Sequence, residues 1–201
     1  RRLIFEELFW LELYLAARKT GLKKENTEPV LFTEKKLNQL LQILPFDLTG
    51  AQKKALAEIK EDLKKPHPMH RLVQGDVGSG KTLVALSAAI LVAEVKRQTC
   101  FMVPTEILAE QHFANTKKYL EPLGIRTALL TGKTKASKVK EILSALENGE
   151  VDLLIGTHAL IEERVKFHNL ALVIVDEQHR FGVEQRGELK SKGHSPHFLI
   201  M

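Results

Sequence analysis

The chain has 201 residues, 44% hydrophobic and 27% charged, with a formal net charge of +5 and a pI of about 9.2. That balance excludes a disordered chain, leaves room for one α/β domain with an appendage, and leans mildly toward a polyanionic partner. One cysteine, Cys100, excludes an internal disulfide and fits a reducing compartment, and no apolar run is long enough to span a membrane.

Residues 1–45 read as a helical extension. Residues 1–19 form an expected helix closed by Gly21, apolar around most of its circumference, and therefore either a connector clamped between two domains or a plain core helix. Thr33 is expected to cap a second helix with Leu37, Leu40, Leu41 and Leu44 on one stripe, stopped by Pro45. Thr49 is expected to cap a third, ending at Leu63. Within it, Gln52 has the two-sided amide that an adenine edge requires, and Phe46 can pack on the base.

The segment from Arg71 to Thr82 reads as a strand, a glycine-rich turn and a helix start, matching G-x-x-x-x-G-K-S/T. Gly75, Gly78 and Gly80 let the backbone approach a phosphate, while Asp76, Val77 and Ser79 complete the loop of inward N–H groups. Lys81 is placed to reach the β- and γ-phosphates of ATP, and Thr82 to put its hydroxyl on Mg²⁺. From there, apolar runs alternate with helical stretches. Strands are expected at 99–103, 125–130, 151–155, 170–175 and 198–201, with helices around 81–96, 106–120, 135–148 and 184–191. This rhythm predicts a mostly parallel sheet with helices on both faces, and functional residues at the strands' carboxyl ends. Cys100 falls in one of the strands and reads as a buried structural thiol. The final apolar run, Phe198 to Met201, reads as a strand whose edge is open.

After the apolar strand 172–175, Asp176 is placed to hold Mg²⁺ opposite Thr82, Glu177 to orient and deprotonate the attacking water, and His179 to couple that chemistry to a second lobe or a bound strand. Between the two motifs, residues 112–140 hold seven Lys/Arg against the single acid Glu121. The stretch reads either as a solvated face or as a track for a phosphodiester backbone without sequence readout.

The ordered blocks Gly75–Thr82, Pro104–His112, Thr131–Lys133 and Gly156–Leu160 resemble the helicase motifs of superfamily 2. The run from Asp176 to Arg186 is similar to the signature of the RecG family, the bacterial ATP-dependent branched-DNA helicases. The resemblance covers residues 46–201 and implies a RecA-like phosphate-loop lobe at 46–201, with Phe46 to Gln52 taking the adenine-recognition role. It implies catalysis by Lys81, Asp176, Glu177 and His179. It also implies DNA contacts at Pro104, Thr105, Glu106, Gln111, His112, Thr131, Gly132, Lys133, Gly156, Thr157 and His158. The implied partners are forks and Holliday junctions, together with a wedge domain and a second RecA-like lobe outside this chain. A bacterial cytoplasmic, nucleoid-associated setting follows. With the next motif expected beyond Met201 and an arginine finger on the other lobe, the chain alone is expected to bind Mg-nucleotide and hydrolyse it very slowly. A transcription-repair coupling translocase shares much of the motif set. A phosphate-loop ATPase or kinase without nucleic acid explains only residues 75–82, and a binding module with a vestigial nucleotide site is disfavoured by the intact Lys81, Thr82, Asp176 and Glu177.

Overall fold

Strands covered on both faces carry continuous apolar runs, and the middle of this molecule is built from such runs. The computed structural model describes residues 26–176, 188, 189 and 191–201. Six strands form one parallel sheet: β1 (His70–Leu72), β2 (Gln98–Met102), β3 (Thr127–Leu130), β4 (Leu153–Gly156), β5 (Leu170–Val175) and β6 (His197–Ile200), in the order β1-β6-β5-β2-β4-β3. Every residue of β2, β4 and β5 is buried.

Among the described residues, five α-helices of two turns or more pack around the sheet: α1 (Lys35–Ile43), α2 (Gly50–Leu63), α3 (Lys81–Glu94), α4 (Glu106–Leu120) and α5 (Ala136–Glu147). The alternating side chains of each strand feed two separate cores. Phe101, Leu153, Ile155, Leu172 and Ile174 join α1 to α4 on one face. Cys100, Met102, Leu154, Val173 and Val175 meet Val139, Ile142 and Leu146 of α5 on the other. α3 lies deepest, with all ten residues from Val84 to Ala93 buried, as expected for a helix that is apolar on all sides. Cys100 is fully buried, and burial pushes its thiol pKa up to about 12. It is a structural thiol.

Two expectations change. Thr33 does not cap α1, which starts instead from Glu34 in the left-handed region with no side-chain cap of its own. The cap comes from the last residue of α3: the Glu94 carboxylate accepts from the Thr33 amide and hydroxyl and from the amides of Glu34 and Lys36, at 2.6–3.0 Å. A carboxylate at a helix N-terminus also meets the positive end of the dipole, so it outcompetes a neutral hydroxyl. The second change concerns β6. It is no open edge but lies between β1 and β5, hydrogen-bonded to both. Within residues 26–45, Val30, Leu37, Leu40 and Leu44 share one core with α2 and α3. The expected helix at 1–19 lies outside the described residues, as does most of the one at 184–191.

Thr49 does cap α2. Its side chain accepts from the Gln52 amide, and Gln52 returns a bond to the Thr49 amide, a complete capping box.

Candidate functional site

The carboxyl ends of the parallel strands gather the polar residues that the sequence motifs single out. β1 runs out into the glycine-rich loop, whose Gly78 and Gly80 take φ of 79° and 80°, values that a side chain would strain. Gly80 is the N-cap of α3 and brings no side chain to that position. A Cβ there would lie 2.4 Å from the side-chain Nε2 of Gln52. Ser79 closes a turn onto the Asp76 carbonyl at 3.1 Å, and Val77 stands fully exposed at the tip. Lys81 folds back over the loop, its Nζ donating to the Gly75 carbonyl at 2.6 Å and the Asp76 carbonyl at 2.9 Å. The ammonium thus sits above the loop, held by two weak acceptors that a phosphate oxygen outcompetes.

Gln52 is more committed than expected. Beyond the capping box, its Nε2 donates to the Ser79 carbonyl at 2.8 Å, tying α2 to the phosphate loop. Phe46 is half exposed and lines a cleft of about 550 Å³ with Gly80, Thr82, Leu83, Gln111 and Tyr119. The apolar wall of this cleft was not legible in the sequence, because a Leu or Tyr at helical spacing reads as ordinary core.

Asp176 follows β5 directly, its amide donating to the Met102 carbonyl at 3.0 Å. The Nε2 of His112, in the second turn of α4, lies 3.3 Å from an Asp176 carboxylate oxygen. Thr82 and His112 line the same cleft, so the hydroxyl and the carboxylate are gathered at one end of the sheet. Among the described residues, no three His, Cys, Asp or Glu side chains cluster to hold a metal by themselves. One hydroxyl and one carboxylate, both hard oxygen donors, suit a cation that takes its remaining ligands from phosphate and water. Glu177 and His179 lie outside the described residues.

The proposed DNA contacts divide. Gln111, Gly132, Lys133 and His158 are exposed, while Thr131, Gly156 and Thr157 are buried. A Cβ on Gly156 would fall 2.0 Å from the Leu130 carbonyl, so a glycine is needed there for strand packing alone. Pro104 is half-buried and Thr105 caps α4, accepting from the Leu108 amide at 3.3 Å. Glu106 pairs with Lys133 at 2.9 Å, which holds its carboxyl below the usual range and raises the Lys133 ammonium. The basic stretch is not one continuous track. Arg126 turns to Asp152 and the Gly149 carbonyl at the opposite, amino end of the strands, and Lys118 faces the cleft. Lys117 and Lys138 pair with Glu121 and Glu141 on their own surfaces.

A family model for DEAD/DEAH box helicases matches residues 49–195. The whole chain is 47% identical to ATP-dependent DNA helicase RecG of Aquifex aeolicus, covering 26% of that protein, and 47% identical to RecG of Escherichia coli strain K12, covering 30%. Among solved structures, RecG bound to a three-way DNA junction superposes with a TM-score of 0.88 at 46% identity, over 98% of this chain and 26% of that one. The chain therefore spans between a quarter and a third of the length of these relatives. The DUF1998 helicase MrfA shares the fold, with a TM-score of 0.66 at 18% identity. The six-stranded parallel sheet is a RecA-like helicase lobe with a nucleotide-binding loop, and the chain belongs to the DEAD/DEAH box helicase family.

Proposed function

We propose that the chain is the first motor lobe of an ATP-dependent, branched-DNA helicase of the RecG type, remodelling stalled forks and Holliday junctions in recombination and repair. The observation that most supports this is its likeness, along nearly its whole length, to a RecG structure described as bound to a three-way DNA junction. Residues 46–201 act as the lobe and 1–45 as the link to a wedge domain, with a second RecA-like lobe completing the motor. The setting is the bacterial cytoplasm, at the nucleoid. No helix among the described residues is long and apolar enough to cross a membrane.

Each residue then has a task. The amides from Gly75 to Gly80 cradle the phosphates of ATP, and Lys81 leaves its two carbonyl acceptors for β- and γ-phosphate oxygens. Phe46 packs on the base, and Gln52 offers the adenine edge the amide hydrogen its Ser79 bond leaves over. Thr82 and Asp176 would hold Mg²⁺, which when bound would supply positive charge to the nucleotide's phosphates. Glu177 takes the proton of the attacking water, and His179 links that step to the second lobe. Thr105, Glu106, Gln111, Gly132, Lys133 and His158 lie toward DNA. Pro104, Thr131, Gly156 and Thr157 shape the turns behind them.

The test is ATP hydrolysis by the full-length protein without DNA, with linear single strand, with linear duplex and with a synthetic fork, using Glu177→Gln as control. Strong stimulation by the fork, abolished in Glu177→Gln, is the expected result. Equal rates with and without DNA would instead favour a phosphate-loop ATPase with no nucleic acid partner.

A further inference from the structure

The His112 side chain is only 15% exposed and the Asp176 side chain 19%. The imidazole is wedged between the Asp176 carboxylate and the ring of Phe101, whose centroid lies 5.1 Å away at 49°. Phe101 is fully buried near the carboxyl end of β2, a rigid backing for the wedge. The Asp176 main chain is equally fixed, by its bond to the Met102 carbonyl and by the Met201 amide bonded to Val175. The strand end leaves two side-chain torsions of Asp176 to be settled by other contacts. An imidazole nitrogen 3.3 Å from Oδ2, unable to retreat because of Phe101, restricts both.

We propose that His112 is a positioning residue for the Asp176 carboxylate: it holds the rotamer in which Asp176 serves a nucleotide-bound divalent cation. The inference rests on the nucleotide site proposed above. Outer contacts of this kind orient a metal-holding carboxylate and set cation affinity without touching the cation. His112 also lies on α4, whose first residues, Glu106 and its neighbours, are proposed to face DNA. The same rigid helix therefore carries a DNA-facing end and a contact to the metal carboxylate.

The experiment compares wild type, His112→Leu and His112→Gln in the full-length protein. The leucine keeps apolar packing on Phe101 and removes the nitrogen, while the glutamine returns an N–H near the same reach. Binding of a fluorescent ADP analogue is titrated against Mg²⁺ and repeated in EDTA. His112→Leu should need about 10-fold more Mg²⁺ for half-maximal binding, a larger change than any in EDTA, and His112→Gln should recover to within about 3-fold of wild type. An unchanged Mg²⁺ midpoint in His112→Leu overturns the proposal, as does a glutamine variant as impaired as the leucine. Wild type that binds no nucleotide, or binds it without Mg²⁺ dependence, overturns the nucleotide site beneath it as well.

Discussion

The two ends of the sheet use similar residues in opposite ways. Toward the amino ends of the strands, polar side chains are closed on one another, whether buried or at the surface. Gln98 donates to the Leu146 and Val151 carbonyls and accepts from the Asn169 amide, all at 2.8–2.9 Å. Arg126 binds Asp152 and the Gly149 carbonyl, and Arg71 binds Asp62 and Glu58. At the carboxyl ends, Lys81 rests on two loop carbonyls, the exposed Lys133 on the Glu106 carboxylate and His112 on Asp176. A closed buried network such as that of Gln98 holds the fold, because breaking it strands a buried donor or acceptor. The two carbonyl partners of Lys81, at the other end, can be exchanged for a ligand's oxygens at little cost. The difference separates the residues that make the lobe from those that use it.

The largest effect that would sharpen this contrast is at Lys81. Lys81→Ala should lower ATP turnover by about 100- to 1,000-fold, as loss of one preorganised donor to developing charge does, while leaving the unfolding temperature near wild type. A large drop in thermal stability would break the contrast by making Lys81 part of the scaffold.

Gln98→Leu is the opposite case. It leaves the Asn169 amide and the Val151 carbonyl without a partner, costing about 3 kcal/mol, or roughly 6–12 °C in Tm for a chain of this size. The readout is differential scanning calorimetry, and a loss under about 1 kcal/mol would show the network to be dispensable.

His197 gives the closed end a pH signature. Burial first, and the Arg97 charge second, lower its pKa from 6.5 to about 4, while its Nδ1 accepts the Met69 amide at 3.0 Å. The unfolded chain binds the proton more readily, so this contribution is complete above pH 6.5 and is lost as pH falls toward 4. The loss amounts to about 3 kcal/mol at most. Asn can keep the acceptor without the titration. Urea unfolding at pH 7.5 and 4.5 should show His197→Asn losing less stability on acidification than wild type, and equal losses would remove His197 from the account.

The smallest effect is at Lys133. Lys133→Ala should weaken binding to all duplexes alike and reduce the salt slope by about one. Fluorescence anisotropy across a salt series reads this directly, and an unchanged slope would place Lys133 off the DNA.

Local chemistry was the legible part of the sequence. The phosphate loop, the Thr49 cap, the parallel order of strands and the buried Cys100 each depend on neighbours within a few residues or on a simple period. What could not be read are contacts that fold brings together over long separations. The Glu94 cap on α1 spans about sixty residues, and the His112 approach to Asp176 spans about as many. The basic stretch shows the same limit in reverse. Arg126 and Lys133 are close in sequence, but β3 carries them to opposite ends of the sheet.

Among the described residues, the strand that feeds the phosphate loop pairs only with β6, with His70 opposite Phe198 and Leu72 opposite Ile200. The Val73 amide, just before the loop, is likewise held by the Ile200 carbonyl at 2.7 Å. During synthesis, residues 70–82 leave the ribosome long before the segment that anchors them. At about 5–20 residues per second, this gap lasts roughly ten seconds. For that interval the loop has its glycines and its lysine but no neighbouring strand to set its height against β5. Nucleotide affinity should therefore arise late and abruptly, so that a nascent chain able to hold ATP is one whose sheet is already closed.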